Sequence, residues 1–346
     1  MRSDLAALRL GPLLLDGSTD RTPSEVVRHL GAVQSQEHLM APWAVGLRSG
    51  TTFDEVLADL EANDVVRTHV LRTTWHYVHL DDLAVVVAAT ADRVVGQVVP
   101  HVRRQGLDEA HLLAGADVVT EAVRAAPGCT RADIAARLAE AGHEITGDVL
   151  AHVVMTAELR GDVAGHRGTG GQHRYVPIQL PAVTLDVDDA RAWVARTYAR
   201  GHGPITPHDL AWWSSLTVRQ SRSAIERAGL VPVRDVLWAV DNPEPVEPPT
   251  ALLLPQFDEL ISYVRDSAVR ADVGPLYDDV MFATGLVVVR GRLVGHWSRD
   301  LTADRVHVRV ILDRAPDRPV RTAIEQAAQG YADFVGRALD VTLPTG

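Results

Sequence analysis

The stretch GAVQSQEHLMAPW, Gly31 to Trp43, sets two glutamines two residues apart between a helix and a Trp-containing segment. Gln34 and Gln36 are neutral, so neither supplies a salt bridge. Each side chain carries a carbonyl oxygen and an amide. The pair can therefore hold something small and polar, or it is surface filler. In an extended stretch, residues i and i+2 point to the same side and suit a shared water; on a regular helix they diverge. A second group lies in LRTTWHYVH. His76 there can donate a hydrogen bond or meet a phosphate, or it can be a partly buried strand histidine. Arg72 and Thr74 are its weaker neighbours. In PQFDEL, Asp258 and Glu259 are adjacent carboxylates of the kind used in acid/base work. The favoured reading for them is structural: binding helix N-termini, or an arginine from another unit. Trp43, Trp75, Trp212 and Trp213 offer apolar pocket surface.

Other chemistry finds little support. There are fifteen histidines, but no His-Glu-x-x-His and no paired cysteines, so no metal is expected. GHRGTGGQHR has glycines but no P-loop lysine, and it lies between strands, so it reads as a wing tip. His166, Arg167, His173 and Arg174 could meet a phosphate backbone from there. No Gly-x-Ser-x-Gly is present, which disfavours an α/β-hydrolase. No cofactor is expected.

All 34 basic residues are arginine. GC-rich codon usage explains that first, yet the planar guanidinium also grips phosphate in two places. The net charge of −11 argues against a nonspecific coat on nucleic acid; a local arginine-lined groove remains compatible with it. Arg103 and Arg104 join Arg167 and Arg174 as expected phosphate contacts. The lone Cys129 excludes an internal disulfide, and a cytoplasmic location follows as the default. No apolar run reads as long enough to span a bilayer, and the N-terminus lacks a signal-cleavage pattern.

These residues must be positioned by a chain of 346 residues with 46% hydrophobic content, enough for two or three domains. The middle is clearest. GADVVTEAVRAAPG, TRADIAARLAEAG and ITGDVLAHVVMTAELRG have helical spacing, and Thr130 with Asp133 resembles a capping box. A strand, a Gly-rich tip and a strand follow. Three helices and a hairpin form the winged-helix pattern. The order returns in DDARAWVARTYARGHG, TPHDLAWWSSL (Thr206 and Asp209 at capping positions) and TVRQSRSAIERAGL (capped by Thr217), followed by VPVRDVLWAV as a strand. At the N-terminus, SEVVRHLGAV and TFDEVLADLEA read as helices and VVRTHVLRTTWHYVHL as a hairpin. After the linker DNPEPVEPPT come strands at ALLLPQF, GLVVVRGRLVGHW and RVHVRVIL, then a closing helix. The expected fold is α+β and mainly helical, with winged-helix units at 1–110, 111–185 and 186–245 and a β-rich C-terminal segment at 246–346.

Five of these stretches, in order, resemble the AlkZ-like family of winged-helix DNA glycosylases. LGAVQSQEHLMAPWAVGLR is similar to its Leu-Gly-x-x-Gln-x-Gln/Asp signature. VLRTTWHYV resembles its Arg-Gly-Thr-Leu-His stretch, with Thr73 for the usual Gly and Trp75 for the usual Leu. GPITPHDLAWWSSL, LLPQFDELISYVRD and VVVRGRLVGHW are similar to its Gly-Pro-x-Thr, Pro-x-Phe-Asp-Glu and Gly-Arg-Val-Val-Gly-Thr-Trp segments. The resemblance covers nearly the whole chain.

It implies hydrolysis of the N-glycosidic bond of a bulky N7-alkylguanine, or of an interstrand crosslink, in double-stranded DNA. Gln34 and Gln36 become the catalytic pair, orienting water in the first unit. His76, Thr74, Arg72, Trp43 and Asp258 are further site candidates. The Gln-x-Gln branch is associated with self-resistance in makers of DNA-alkylating natural products. A monomer with no membrane partner is expected. The alternatives are a winged-helix transcriptional regulator and a protein that sequesters the drug.

Overall fold

The computed structural model describes all residues except 1, 144, 146, 168–172, 235, 265–283 and 345–346, and the side chains of 2–4 and of Arg167 are also outside it. The expected wing tip therefore lies outside the described residues. Helix outweighs strand, 49% to 21%, which makes the chain α+β and mainly helical with a C-terminal sheet, as expected.

In chain order the elements are α1 (Arg2–Leu10), α2 (Pro23–Leu30), β1 (Val33–Gln34), α3 (Ala41–Ser49), α4 (Phe53–Ala62), β2 (Val65–Val70), β3 (Thr74–His79), α5 (Leu80–Arg104), α6 (Glu109–Ala125), α7 (Arg131–Glu140) and α8 (Gly147–Leu159). Then follow β4 (Val163–Arg167), β5 (His173–Pro177), α9 (Val187–His202), α10 (Pro207–Ser214), α11 (Val218–Arg227), β6 (Val231–Arg234), β7 (Leu237–Ala239) and β8 (Ala251–Leu254). The last are β9 (Gly285–Val289), β10 (Arg292–Leu301), β11 (Arg305–Leu312), α12 (Arg318–Phe334) and β12 (Ala338–Thr342). They form two compact units, each drawn from separate chain segments. One holds Met1–Asn63, Arg196–Asp209 and Gly229–Gly346; the other holds Asp64–Ala195 and Leu210–Ala228.

In the first unit, α2 starts at a capping box of Thr22 and Glu25 with Pro23 at its first turn, and stops at Gly31 with φ 82°. Both signals are local, and Gly tolerates that φ without the Cβ penalty. The C-terminal sheet runs β12-β11-β10-β9-β8. Its β11–β12 pairing is parallel and its other pairings are antiparallel. Helix α12 covers it through Tyr331 and Phe334, which pack edge-on or tilted against Trp43 at 5.4 and 5.0 Å, and Tyr331 also meets Trp297 at 4.9 Å. Gly46 lies against Phe334 so closely that a Cβ there would sit 2.3 Å from the ring. A side chain at this position would push α3 away from α12.

In the second unit, α6, α7, α8 and the antiparallel β4–β5 hairpin follow in the expected helix–helix–helix–hairpin order. Thr130 and Asp133 cap α7 reciprocally, as their spacing suggests. Strands β3, β2, β4 and β5 are neighbours in that order in one sheet. Val98, Val102, Leu112, Val119, Ile134, Leu138, Val153 and Val163 share a single core.

Two expectations change. VPVRDVLWAV is not one strand but β6 and β7 paired antiparallel. The reading of no bilayer-length apolar run also needs correction: among the described residues, α5 is long and apolar enough to cross a membrane. Half of that apolar window is buried in the protein. Val94, Val98, Val99 and Val102 of α5 belong to the core of the second unit, the pattern of a core helix whose other face is polar.

Candidate active site

Gln34 ends the two-residue strand β1, and Ser35 and Gln36 continue outside any helix. Val33 and Ser35 are buried, Gln34 is half-buried and Gln36 is exposed. That alternation is the period of an extended chain, with the two glutamines on the outward side.

Behind the glutamines lies a buried carboxylate. The backbone N–H of Gln34 donates to Glu259 Oε1 at 2.7 Å. Glu259 Oε2 lies 3.0 Å from His202 Nε2, and both side chains are fully buried. Burial pushes the Glu259 carboxyl up. The hydrogen bond and charge of His202, a Ser262 hydrogen bond and the Gln34 amide together outweigh it and hold the group well below the usual carboxylate range. Glu259 thus turns a carboxyl oxygen whose charged form is favoured toward a peptide N–H, with no access to solvent.

Its neighbour Asp258 has a different task. Arg48 Nη1 and Nη2 each donate to one of its oxygens at 2.9 Å, and Oδ1 also accepts from the Leu260 amide. Arg48 gives two more donors to the carbonyls of Leu13 and Ala44. This is a bidentate ion pair with both members out of water, and the arginine belongs to the same compact unit. Trp43 is 4% exposed and donates to the Leu253 carbonyl at 2.7 Å. Trp43 and Asp258 are thus both buried and bonded within the Gln-bearing unit.

The other sequence-derived residues fall in the second unit, where three of them meet. His76 is fully buried; its Nδ1 lies 3.0 Å from the Thr74 carbonyl and its Nε2 3.3 Å from Arg72 Nη2. A carbonyl can only accept and a guanidinium can only donate, so the partners assign the Nδ1–H tautomer. Arg72 also lies 4.2 Å over the ring of Trp212, which is 39% exposed. Arg103 and Arg104 are exposed at the end of α5, where Arg104 donates to His101 Nδ1. Arg174 is half-buried and donates to the Gly128 carbonyl, so it is partly committed within the fold. His166 is exposed on β4 and His173 half-buried on β5. Trp213 is 1% exposed.

Sequence reasoning missed two groupings. His202 is one; its only local mark is its place before the Gly-Pro that ends α9. The other surrounds Trp75. His69 lies 4.1 Å from that ring, His173 4.6 Å, and the Arg67 guanidinium 4.1 Å over it. His69 Nδ1 is 2.6 Å from Glu158 Oε2. Burial raises the Glu158 carboxyl, against the opposing charge and hydrogen bond of His69. Among the described residues no group of three or more His, Cys, Asp or Glu side chains could hold a metal ion.

A family model described as DNA glycosylase AlkZ-like matches residues 27–334, a span that includes Gln34, Gln36, His76, His202 and Glu259. No curated protein matches the chain. Among solved structures, the DNA glycosylase AlkZ of Streptomyces sahachiroi is similar in fold, with a TM-score of 0.76 at 18% identity over 98% of this chain and 99% of that one. The sequence match spans most of the chain, and the folds agree end to end. The chain belongs to the AlkZ-like family of DNA glycosylases.

Proposed function

We propose that this glycosylase hydrolyses the N-glycosidic bond of bulky N7-alkylguanines in duplex DNA, including those that form interstrand crosslinks, with Gln34 and Gln36 orienting the attacking water. The observation that carries this reading is the alternating burial after β1, which leaves Gln34 half-buried and Gln36 exposed on either side of the buried Ser35. An N7-alkylguanine already bears positive charge. When its bond to C1′ breaks, the electron pair goes to the base, which leaves neutral without needing an acid. The remaining barrier lies in the oxocarbenium-like sugar and in bringing water to it. Two amide oxygens can accept from that water, fix its line of attack and steady the cation by their dipoles. Water adds to C1′ and its proton passes to solvent. The sequence also favours a monofunctional enzyme: with all basic residues arginine, no lysine stands ready to form a Schiff base. Self-resistance to a DNA-alkylating natural product, acting as a cytoplasmic monomer, is the role that suits the Gln-x-Gln pair.

Winged-helix units, with α6–α8 and the β4–β5 hairpin as the model case, supply the grip on duplex DNA. Arg103 and Arg104, exposed at the end of α5, are the proposed phosphate contacts. Neutralising either should lower the slope of log K against log salt by about one. A slope unchanged by both substitutions removes them from the interface.

The test of the activity is incubation with duplex DNA carrying one defined N7-alkylguanine, followed by mass analysis of released base. Free alkylguanine and an abasic strand are expected. Tight binding of intact DNA without release would favour a regulator. Binding of the alkylating compound alone would favour sequestration.

A further inference from the structure

We infer that Glu259 is a positioning residue for the glycosylase reaction: with His202 behind it, its buried carboxylate clamps the Gln34 peptide and so aims the side chains of Gln34 and Gln36. The inference rests on the role proposed for that pair. It adds a residue that does not touch substrate, because Glu259 is 0% exposed.

Regular structure is short at the glutamines. Strand β1 is two residues long, and the chain leaves regular structure at Ser35 before α3 begins at Ala41. Catalytic groups on irregular backbone drift unless something stiff holds them. A misplacement of about 1 Å can cost on the order of 10²-fold in rate. At Gln34 the holding group is an anion rather than a carbonyl. The 2.7 Å contact has the length of a charge-assisted bond, which is shorter and stronger than a neutral one.

Burying a carboxylate is costly unless it is well bonded, and here the Gln34 amide, His202 and Ser262 all bond it. Oε2 meets His202 Nε2 at 3.0 Å. The imidazole is flanked by Tyr198 at 4.6 Å and by Tyr263 at 6.1 Å. Tyr263 donates its hydroxyl proton to the His202 carbonyl at 2.7 Å, and Tyr198 donates to the Ser262 carbonyl at 2.6 Å. On the other side, Asp258 is locked to Arg48 and to the Leu260 amide. Phe257 enters the turn at φ 62°, a strained conformation for a side chain of that size, which persists only where neighbours enforce it. Glu259 is therefore fixed from both chain directions and from behind, and its one remaining oxygen faces the Gln34 N–H.

Three variants test the clamp. Glu259→Asp keeps the charge but shortens the reach by one methylene. Glu259→Gln keeps the reach and an acceptor oxygen but loses the charge, and its amide can donate to His202. His202→Gln leaves the carboxylate and removes the ring behind it. The readouts are single-turnover base release at saturating enzyme, with DNA affinity measured separately, and hydrogen exchange of the Gln34 amide. Melting temperature reports folding. Glu259→Asp should slow release by about 10- to 100-fold at unchanged DNA affinity, with faster exchange at Gln34. Glu259→Gln should recover part of both losses, and His202→Gln should fall between them. The proposal is overturned if folded Glu259→Asp releases base at the wild-type rate, or if release falls while Gln34 exchange stays unchanged. Should the variants not fold, the wild-type protein still decides, because a Gln34 amide exchanging as fast as an open loop means no clamp. The wild-type rate keeps the two ideas separate. No release by the wild type counts against the proposed reaction, whereas the exchange measurements read the clamp independently of it.

Discussion

Gln34→Ala and Gln36→Ala should each slow single-turnover base release steeply. The reference range for a positioned proton-transfer group is about 10²–10⁴-fold, with the lower end more apt because glutamine only orients. DNA affinity should barely change, since a water contact made in the transition state adds little to ground-state binding. Gln36→Asp is the sharper variant. Gln36 is exposed and Gln34 half-buried, so a charge at position 36 stays hydrated and folding should be unaffected. It also places an anion beside the developing cation, so activity should persist, with a shift in which adduct is preferred. Wild-type rates from both folded alanine variants would make the glutamines surface filler and move the search to the His76–Arg72 group.

The largest effect on stability is expected at the Arg48–Asp258 pair. Both side chains have 0% exposure, and two parallel hydrogen bonds join them. Removing one member leaves an uncompensated charge in the core, so Arg48→Met should cost about 3–5 kcal/mol, read as a lower urea midpoint. Adding Asp258→Leu should restore part of that loss, because replacing both members of a buried pair by apolar groups is often close to neutral. Recovery should be incomplete, since Asp258 also accepts from the Leu260 amide. The pair also decides what Asp258 does. If folded Asp258→Leu in the double variant retains base release, the residue is a support. A folded double variant that binds DNA but releases nothing would make it a member of the reacting group.

What could be read from the sequence was local. Thr130 with Asp133, and Thr217, announce the starts of α7 and α11; the first capping box forms, and Thr217 completes another with Gln220. The alternation in VVRTHV and TWHYVH yields the β2–β3 hairpin with Val66 opposite Val78 and Thr68 opposite His76. Helix α5 is not legible in the sequence, because its valine runs suit strand as well as helix and Pro100 lies inside it. Its conformation is supported by packing against the core of its unit, a tertiary effect that periodicity does not carry. The site divides the same way. Residue type and spacing make Gln34 and Gln36 candidates, to which the family resemblance gives a role, and the adjacent carboxylates draw notice to Asp258 and Glu259. Nothing local says that Glu259 faces the amide of residue 34, or that His202 stands behind it. Those are contacts across 225 and 57 positions, created only when distant segments fold together.

That separation bears on the moment of synthesis. The unit that carries Gln34 is assembled from Met1–Asn63, Arg196–Asp209 and Gly229–Gly346. A nascent chain shows its glutamines to solvent long before the ribosome has made the carboxylate and imidazole behind them. Asp64–Ala195, by contrast, is an almost complete unit in a single run, and it can gather its core while translation continues. The glutamine segment must wait for the last third of the chain. A chain stalled before residue 259 carries both glutamines without the carboxylate that the proposed clamp requires, so on that proposal base release should await the last third of the chain.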